Sequence, residues 1–348
     1  MTQTHKFPYK WRLTDGYPAP GIEYHGCKSF GTFICGGGSS MGYKLAGFNH
    51  LGGVEIDPKV AANYKRNLHP QLLYVEDIRQ FNKRQDLPSD LYDLDLLDGS
   101  PPCSTFSTAG SREDAWGKRK QFKEGQQVQT LDDLVFVYCD TIKKLMPKVC
   151  LLENVSGLVK GNGKVYYKKI VQKLEKIGYR PQGFLLNAAT MGVPQKRERV
   201  FIIGLRKDFD LPKLNLNFNE PPILFKDFQQ DTGDKVELTD FEYKFWKLRQ
   251  RGDSSLGNII WREEQRHSSF NCAIQQGNKV CYTITASCEH VVYEYPRKMT
   301  DYEIMCAGSF PQDYQCDGKI MWYVGMSVPP IMTAQIAHQI YLQWLSKI

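Results

Sequence analysis

A chain of 348 residues has room for one large catalytic domain and a smaller one. Its 41% hydrophobic and 24% charged content is that of a soluble globular protein, and no apolar run approaches the roughly 20 residues of a membrane span. The formal net charge of +7 suits a polyanionic partner without requiring one.

In chain order, Met1–Tyr9 is polar, so no signal peptide is expected, and the expected compartment is a reducing cytosol. Phe30–Ile34, Leu51–Ile56, Leu72–Val75, Tyr92–Leu97, Val149–Leu152, Gly183–Asn187 and Arg199–Gly204 read as short strands. Between them Pro58–Leu68, Thr130–Met146 and Lys164–Ile177 carry helical spacing, with Pro58 suited to a first turn and Gly178 to a stop. This alternation predicts an α/β fold, a doubly wound, mostly parallel sheet with ligands beyond the carboxyl ends of its strands. The pattern dissolves after Leu205. Residues 206–280 read as a smaller irregular domain, and residues 281–348 return to the catalytic domain, with Pro330–Trp344 as a final helix. None of the ten cysteines forms a C-x-x-C pair, so neither a disulfide framework nor a metal site is expected.

Phe33-Ile-Cys-Gly36-Gly37-Gly38-Ser-Ser-Met-Gly42 lies between a strand and a helix. Glycines there let the backbone approach a ligand closely and leave helix N-terminal amides facing it. Glu55 ends the next strand, where an acid binds ribose hydroxyls, and Asp77 ends the third. Together they predict a nucleoside-cofactor site. The following strand runs into Asp98-Gly-Ser-Pro-Pro-Cys103-Ser-Thr-Phe-Ser107. Two prolines fix the backbone before the thiol, which places Cys103 on a loop at the ligand face of the sheet.

Pro101-Pro102-Cys103 with Phe106-Ser107, then Glu153-Asn154-Val155, then Gln195-Lys-Arg-Glu-Arg199 resemble, in order, the motifs of the DNA (cytosine-5) methyltransferases, with Ser104 after the cysteine as a Pro-Pro-Cys-Ser variant. Val54-Glu55-Ile56-Asp57 and Glu76-Asp77-Ile78 resemble that family's cofactor motifs. Arg297-Lys-Met-Thr300, Glu303 and Gly325-Met-Ser327-Val-Pro-Pro330 resemble its last two. The resemblance implies the class I methyltransferase fold and S-adenosylmethionine as cofactor. It implies a cofactor site at Phe33, Gly36, Gly37, Gly38, Glu55, Ile56, Asp77, Ile78 and Ser327, and a target-recognition domain at 206–280.

The chemistry needs these residue types. Attack of the Cys103 thiolate at cytosine C6 breaks aromaticity and makes C5 enamine-like. Charge then develops toward N3, where a protonated Glu153 stabilises it if its pKa is raised. Arg199 suits the O2 edge, and Arg197 is grouped with it as a supporting or phosphate-binding residue. Such alignment requires the base to be flipped out of double-stranded DNA. Ser107, Arg112 and Lys118 after the nucleophile, and Arg249 and Arg251 in the smaller domain, are the expected DNA contacts, with Lys247, Trp261, Arg262 and Arg266 nearby.

Three departures from the family pattern stand out: Cys35 for the first loop glycine, Ser104 after the nucleophile, and Met326 for an asparagine. They keep a modified S-adenosylmethionine donor among the alternatives, beside a tRNA cytosine-5 methyltransferase and a non-catalytic DNA-binding relative. By analogy the compact length suits a bacterial or phage modification enzyme, monomeric, with a restriction endonuclease as counterpart.

Overall fold

The computed structural model describes residues 5–102, 134–161, 163–231, 237–267, 272–287 and 289–348. Cys103, Ser104, Ser107, Arg112 and Lys118 lie outside the described residues. The chain divides into two compact units, one of Met1–Gly16, Ala188–Arg197 and Phe218–Met332, the other of Tyr17–Asn187, Glu198–Asn217 and Thr333–Ile348. These cuts follow packing and differ from the boundaries at 205 and 280 expected from the sequence.

The second unit holds a seven-stranded sheet in the order β3-β2-β1-β4-β5-β7-β6, formed by β1 (Lys28–Thr32), β2 (Asn49–Glu55), β3 (Leu72–Val75), β4 (Leu96–Gly99), β5 (Val149–Val155), β6 (Tyr179–Asn187) and β7 (Glu198–Arg206). The first five are parallel, and β7 runs antiparallel to both β5 and β6. The expected doubly wound, mostly parallel architecture is the one found. The strand expected from Tyr92 begins only at Leu96, after a 3-10 turn at Ser89–Tyr92. Asp93 and Asp95 turn their carboxylates onto the Lys28 ammonium and the Lys28 main-chain N–H, respectively. Side-chain bonds of this kind draw short acidic residues out of a ladder.

Helices α1 (Gly38–Leu45), α2 (Pro58–Leu68), α3 (Ile78–Phe81), α4 (Leu134–Leu145) and α5 (Gly163–Ile177) follow the strands. Asp57 caps α2 by accepting from the amides of Lys59 and Val60, with Pro58 in the first turn. One sheet face buries Phe30, Leu97, Tyr138, Leu152 and Ile170 in a single core, each large side chain contributing about 1.5–3 kcal/mol by leaving water. Tyr138 decides where α4 sits. Its hydroxyl donates to the carbonyls of Leu97 and Leu151, and its ring lies where a Cβ on Gly99 would fall, 2.4 Å from Cε2. Glycine is therefore required at the end of β4, where the chain leaves for Pro101 and Pro102.

In the first unit α6 (Asp240–Trp246) and α7 (Leu256–Glu264) pack with the parallel pair β8 (Ala273–Gln275) and β9 (His290–Val292). Phe245, Trp246, Leu256, Ile259, Ile274 and Val291 form their core. The unit continues through α8 (Asp301–Ala307) and α9 (Ile320–Met326). The last helix, α10 (Pro330–Gln343), ends in the second unit, where the Trp344 indole donates to the Pro212 carbonyl. Among the described residues no helix is long and apolar enough to cross a membrane.

Candidate active site

The loop between β1 and α1 turns on residues with positive φ: Phe33 at 58°, Cys35 at 45° and Gly37 at 80°. Cys35 thus occupies a left-handed position where glycine is the default, which gives the family's usual glycine a physical reason. The Glu55 carboxylate holds this turn, its Oε2 accepting from the Cys35 N–H and its Oε1 from the Asp57 N–H, each at 3.0 Å. Burial pushes the Glu55 carboxyl up and the backbone amides pull it back down. Asp77 caps α3 by accepting from the Arg79 amide. Gly36, Gly37 and Gly38 are buried, while Phe33 and Ile56 are partly exposed and Ile78 is buried beside Asp77. A nucleoside cofactor fits this donor set: amides at a helix start for an anionic group, and carboxylates at successive strand ends for hydroxyls.

At Gly37 both backbone and space forbid a side chain, because φ is 80° and an added Cβ would lie 2.8 Å from Leu68 Cδ1. Gly37→Ala is expected to destabilise the protein by about 1–3 kcal/mol and to weaken binding of any nucleoside cofactor held by this turn. Thermal unfolding and calorimetric titration check the two effects separately.

At the carboxyl edge of β5, Glu153 Oε1 lies 3.0 Å from Arg199 Nε on β7, with side chains 11% and 17% exposed respectively. The pairing is set by register, since Val155 faces Arg199 and Glu153 faces Phe201 across the antiparallel ladder. Arg199 also donates to the Glu198 carbonyl. Burial lowers the Arg199 guanidinium from its ordinary value and Glu153 opposes this. Next to Glu153, the buried Asn154 side chain donates to the Pro101 carbonyl at 3.4 Å. The Glu153–Arg199 pair and the chain entering Cys103 are thereby tied together.

Arg197, two residues from Arg199, has a different fate. It is buried in the first unit and donates to the carbonyls of Ile284, Gly325 and Ser327 at 2.8–2.9 Å. That arrangement favours the supporting role over the phosphate-binding one. Ser327 is itself buried, with a hydroxyl that has no hydrogen-bond partner among the described residues. Arg249 also turns inward, stacking on Trp246 at 3.4 Å and donating to the carbonyls of Tyr293 and Trp246. One guanidinium nitrogen of Arg262, Nη1, donates to both carboxylate oxygens of Asp253, and Arg266 pairs with Glu264. Arg251 is exposed, as is Trp261, which stacks on His267.

The family described as "C-5 cytosine-specific DNA methylase" matches this chain over residues 29–342. The chain belongs to that family. This C-5 cytosine DNA methylase is 26% identical to the type II methyltransferase M.DdeI of Desulfomicrobium norvegicum, over 87% of this chain and 86% of that protein. It is 28% identical to M.Bsp6I of a Bacillus species, over 80% of this chain and 85% of that protein. The fold of the methylase is similar to that of an E. coli prophage protein described as a DNA modification methyltransferase. That match has a TM-score of 0.64 and 20% identity, and it covers 91% of this chain and 99% of the other. The methylase is thus a DNA (cytosine-5) methyltransferase.

Two features of the methylase's site escape sequence reading. One is the burial of Asp98 on the sheet face that carries Glu153, and the other is the inward turn of Arg197 and Arg249. Alternation along β4 is the only sequence signal for the first. Nothing in the sequence distinguishes Arg249 from its exposed neighbours, and the motif around Arg197 leaves its supporting and phosphate-binding roles both open.

Proposed function

We propose that the methylase modifies C5 of a flipped-out cytosine within a short recognition sequence of double-stranded DNA, with Cys103 as nucleophile and S-adenosylmethionine as cofactor. The observation that carries this reading is the Glu153–Arg199 pair, placed beside the strand end that leads into Pro101-Pro102-Cys103. Cys103 adds its thiolate to C6. Glu153 gives a proton to N3 as charge accumulates there, and the guanidinium of Arg199 offers N–H donors to O2. When bound, S-adenosylmethionine supplies the electrophilic methyl group for C5. Phe33, Gly36, Gly37, Gly38, Glu55, Ile56, Asp77 and Ile78 are the residues that would hold it. Loss of the C5 proton then releases the thiol by β-elimination.

Residues 206–280 are assigned the reading of the target sequence. Arg251, which is exposed, is assigned to meeting DNA, Arg249 is assigned to holding the domain's own fold, and Ser107, Arg112 and Lys118 are assigned to closing over the duplex. The type II relatives support a restriction endonuclease as counterpart.

The test is incubation with S-adenosylmethionine and a sequence-diverse unmethylated plasmid, followed by conversion sequencing. Methylcytosine confined to one short motif is expected. Transfer to tRNA alone, or a DNA adduct heavier than one methyl group, would replace the reading with an RNA substrate or an altered donor. Glu153→Gln should lower kcat about 10²–10⁴-fold, the range for removal of a general acid, and single-turnover rates on the mapped site measure it.

A further inference from the structure

Asp98 is 4% exposed, in the middle of the sheet, and among the described residues its Oδ1 has no hydrogen-bond partner. Asp98 faces Leu151 across the parallel β4–β5 ladder. Side chains alternate between sheet faces, so Glu153, two residues beyond Leu151, lies on the same face as Asp98. Strand spacing and rise put the two Cα atoms roughly 8 Å apart. The carboxylate that acts on Asp98 is that of Glu153, and it acts to keep Asp98 protonated.

The other groups around Asp98 add no compensating charge. The Tyr43 and Ser39 hydroxyls of α1 and the Gly99 N–H favour the ionised form of Asp98 as hydrogen-bond donors. Tyr64 of α2 senses the Asp98 charge, but its hydroxyl is engaged with Ser40 and His50. His50, stacked on Tyr43, is held neutral by burial, its pKa down at about 3. Tyr138 of α4 senses the same charge while donating to main-chain carbonyls. On β1, Thr32 donates to the Asp98 carbonyl oxygen. Lys44 acts on His50 from α1, and Arg199 of β7 is paired with Glu153.

We propose that Asp98 and Glu153 form a coupled acid pair that shares one proton beside Arg199, so that Asp98 is a positioning residue for the proton Glu153 presents to the cytosine. At rest Arg199 favours the Glu153 carboxylate, and the proton resides on Asp98. Burial, reinforced by Glu153, pushes the Asp98 carboxyl up to about 7. When Arg199 turns to the O2 edge of the base, Glu153 loses its counter-charge and becomes the better proton acceptor of the two. An ionised Asp98 then raises the proton affinity of Glu153 toward the working pH, where a general acid is most effective. Pairs of acids whose surroundings push them apart divide roles in this way, and their titrations belong to the pair. After Glu153 delivers its proton to N3, Asp98 regains one from solvent. The inference rests on the reading of Glu153 as the acid at N3.

The experiment compares wild type, Asp98→Asn and Glu153→Gln across pH 5.5–9.5, at saturating S-adenosylmethionine and plasmid DNA, measuring kcat and both KM values. Asp98→Asn removes the partner acid with little change in shape. Its kcat should fall at neutral pH and recover in acid, with the high-pH limb moved down by about one unit or more and both KM values within about twofold of wild type. An unchanged limb, or equal loss at every pH, would overturn the proposal. If Glu153→Gln keeps full kcat, the reading of Glu153 as acid fails first, whatever Asp98 does. Should Asp98→Asn not fold, infrared titration of wild-type protein carrying 13C-carboxyl aspartate supplies the same decision. A protonated aspartic acid persisting to near-neutral pH supports the pair, and full ionisation by pH 5 refutes it.

Discussion

Cys103→Ala, which removes the proposed nucleophile, is expected to abolish methyl transfer. The single-turnover rate should fall by at least about four orders of magnitude, as loss of a nucleophile acting in a unit does, while DNA affinity stays close to that of wild type. Without the thiolate, C5 of cytosine stays part of an electron-poor aromatic ring, and neither Glu153 nor Arg199 can substitute for addition at C6. Residues that act as one unit lose most of their joint effect when the nucleophile goes. Adding Glu153→Gln to Cys103→Ala should therefore cost little more. DNA containing 5-fluorocytosine sharpens the test, because the fluorine cannot leave as a proton does and the covalent adduct accumulates. Wild type should form an adduct that survives denaturation, and Cys103→Ala should form none. An adduct with the alanine variant would remove Cys103 from its role.

Glu303→Ala is expected to destabilise the first unit by about 3–5 kcal/mol, the range for breaking a buried ion pair from one side. The pair it breaks is nearly inaccessible: Arg297 is 3% exposed and Glu303 is fully buried. The two guanidinium nitrogens reach the two carboxylate oxygens at 2.7 and 2.8 Å. The same carboxylate accepts from the Gln230 and Thr300 amides, so it joins a loop from the middle of the chain to the capping box that opens α8. Arg297 in turn donates to the carbonyls of Lys298 and Gln230. Alanine leaves a guanidinium buried without its anion and two amides without an acceptor, and the desolvation cost of each falls on the folded state. Urea titration followed by tryptophan fluorescence reads the loss. In the double variant Arg297→Met/Glu303→Leu, much of the stability should return, since neither charge is left stranded. Equal stability of Glu303→Ala and wild type would show that the pair contributes nothing.

The sequence by itself determined the order of the strands and of the helices α2, α4 and α5 in the second unit, because the buried strands are short apolar runs and those three helices carry apolar periodicity. Pro58 and Gly178 sit where their backbone constraints predict, at a first helical turn and at a positive φ of 117° after α5. The glycine-rich turn and Glu55 were legible for the same local reason: a turn that approaches a ligand needs special φ, and an acid at a strand end stands at the ligand edge. The family resemblance added Glu153 and Arg199.

Tertiary structure alone decided the rest. Glu153 meets Arg199 because β7 runs antiparallel to β5 in one register, and a slip of one residue would turn Arg199 to the other face. Asp98 reads as one more acid in an acid-rich stretch until neighbouring strands bury it beside Glu153. Arg249 and Arg197 look like free cations in a basic chain. They point inward because main-chain carbonyls, and for Arg249 an indole face, accept them there. A long charged side chain chooses between solvent and such partners only once distant segments have assembled around it.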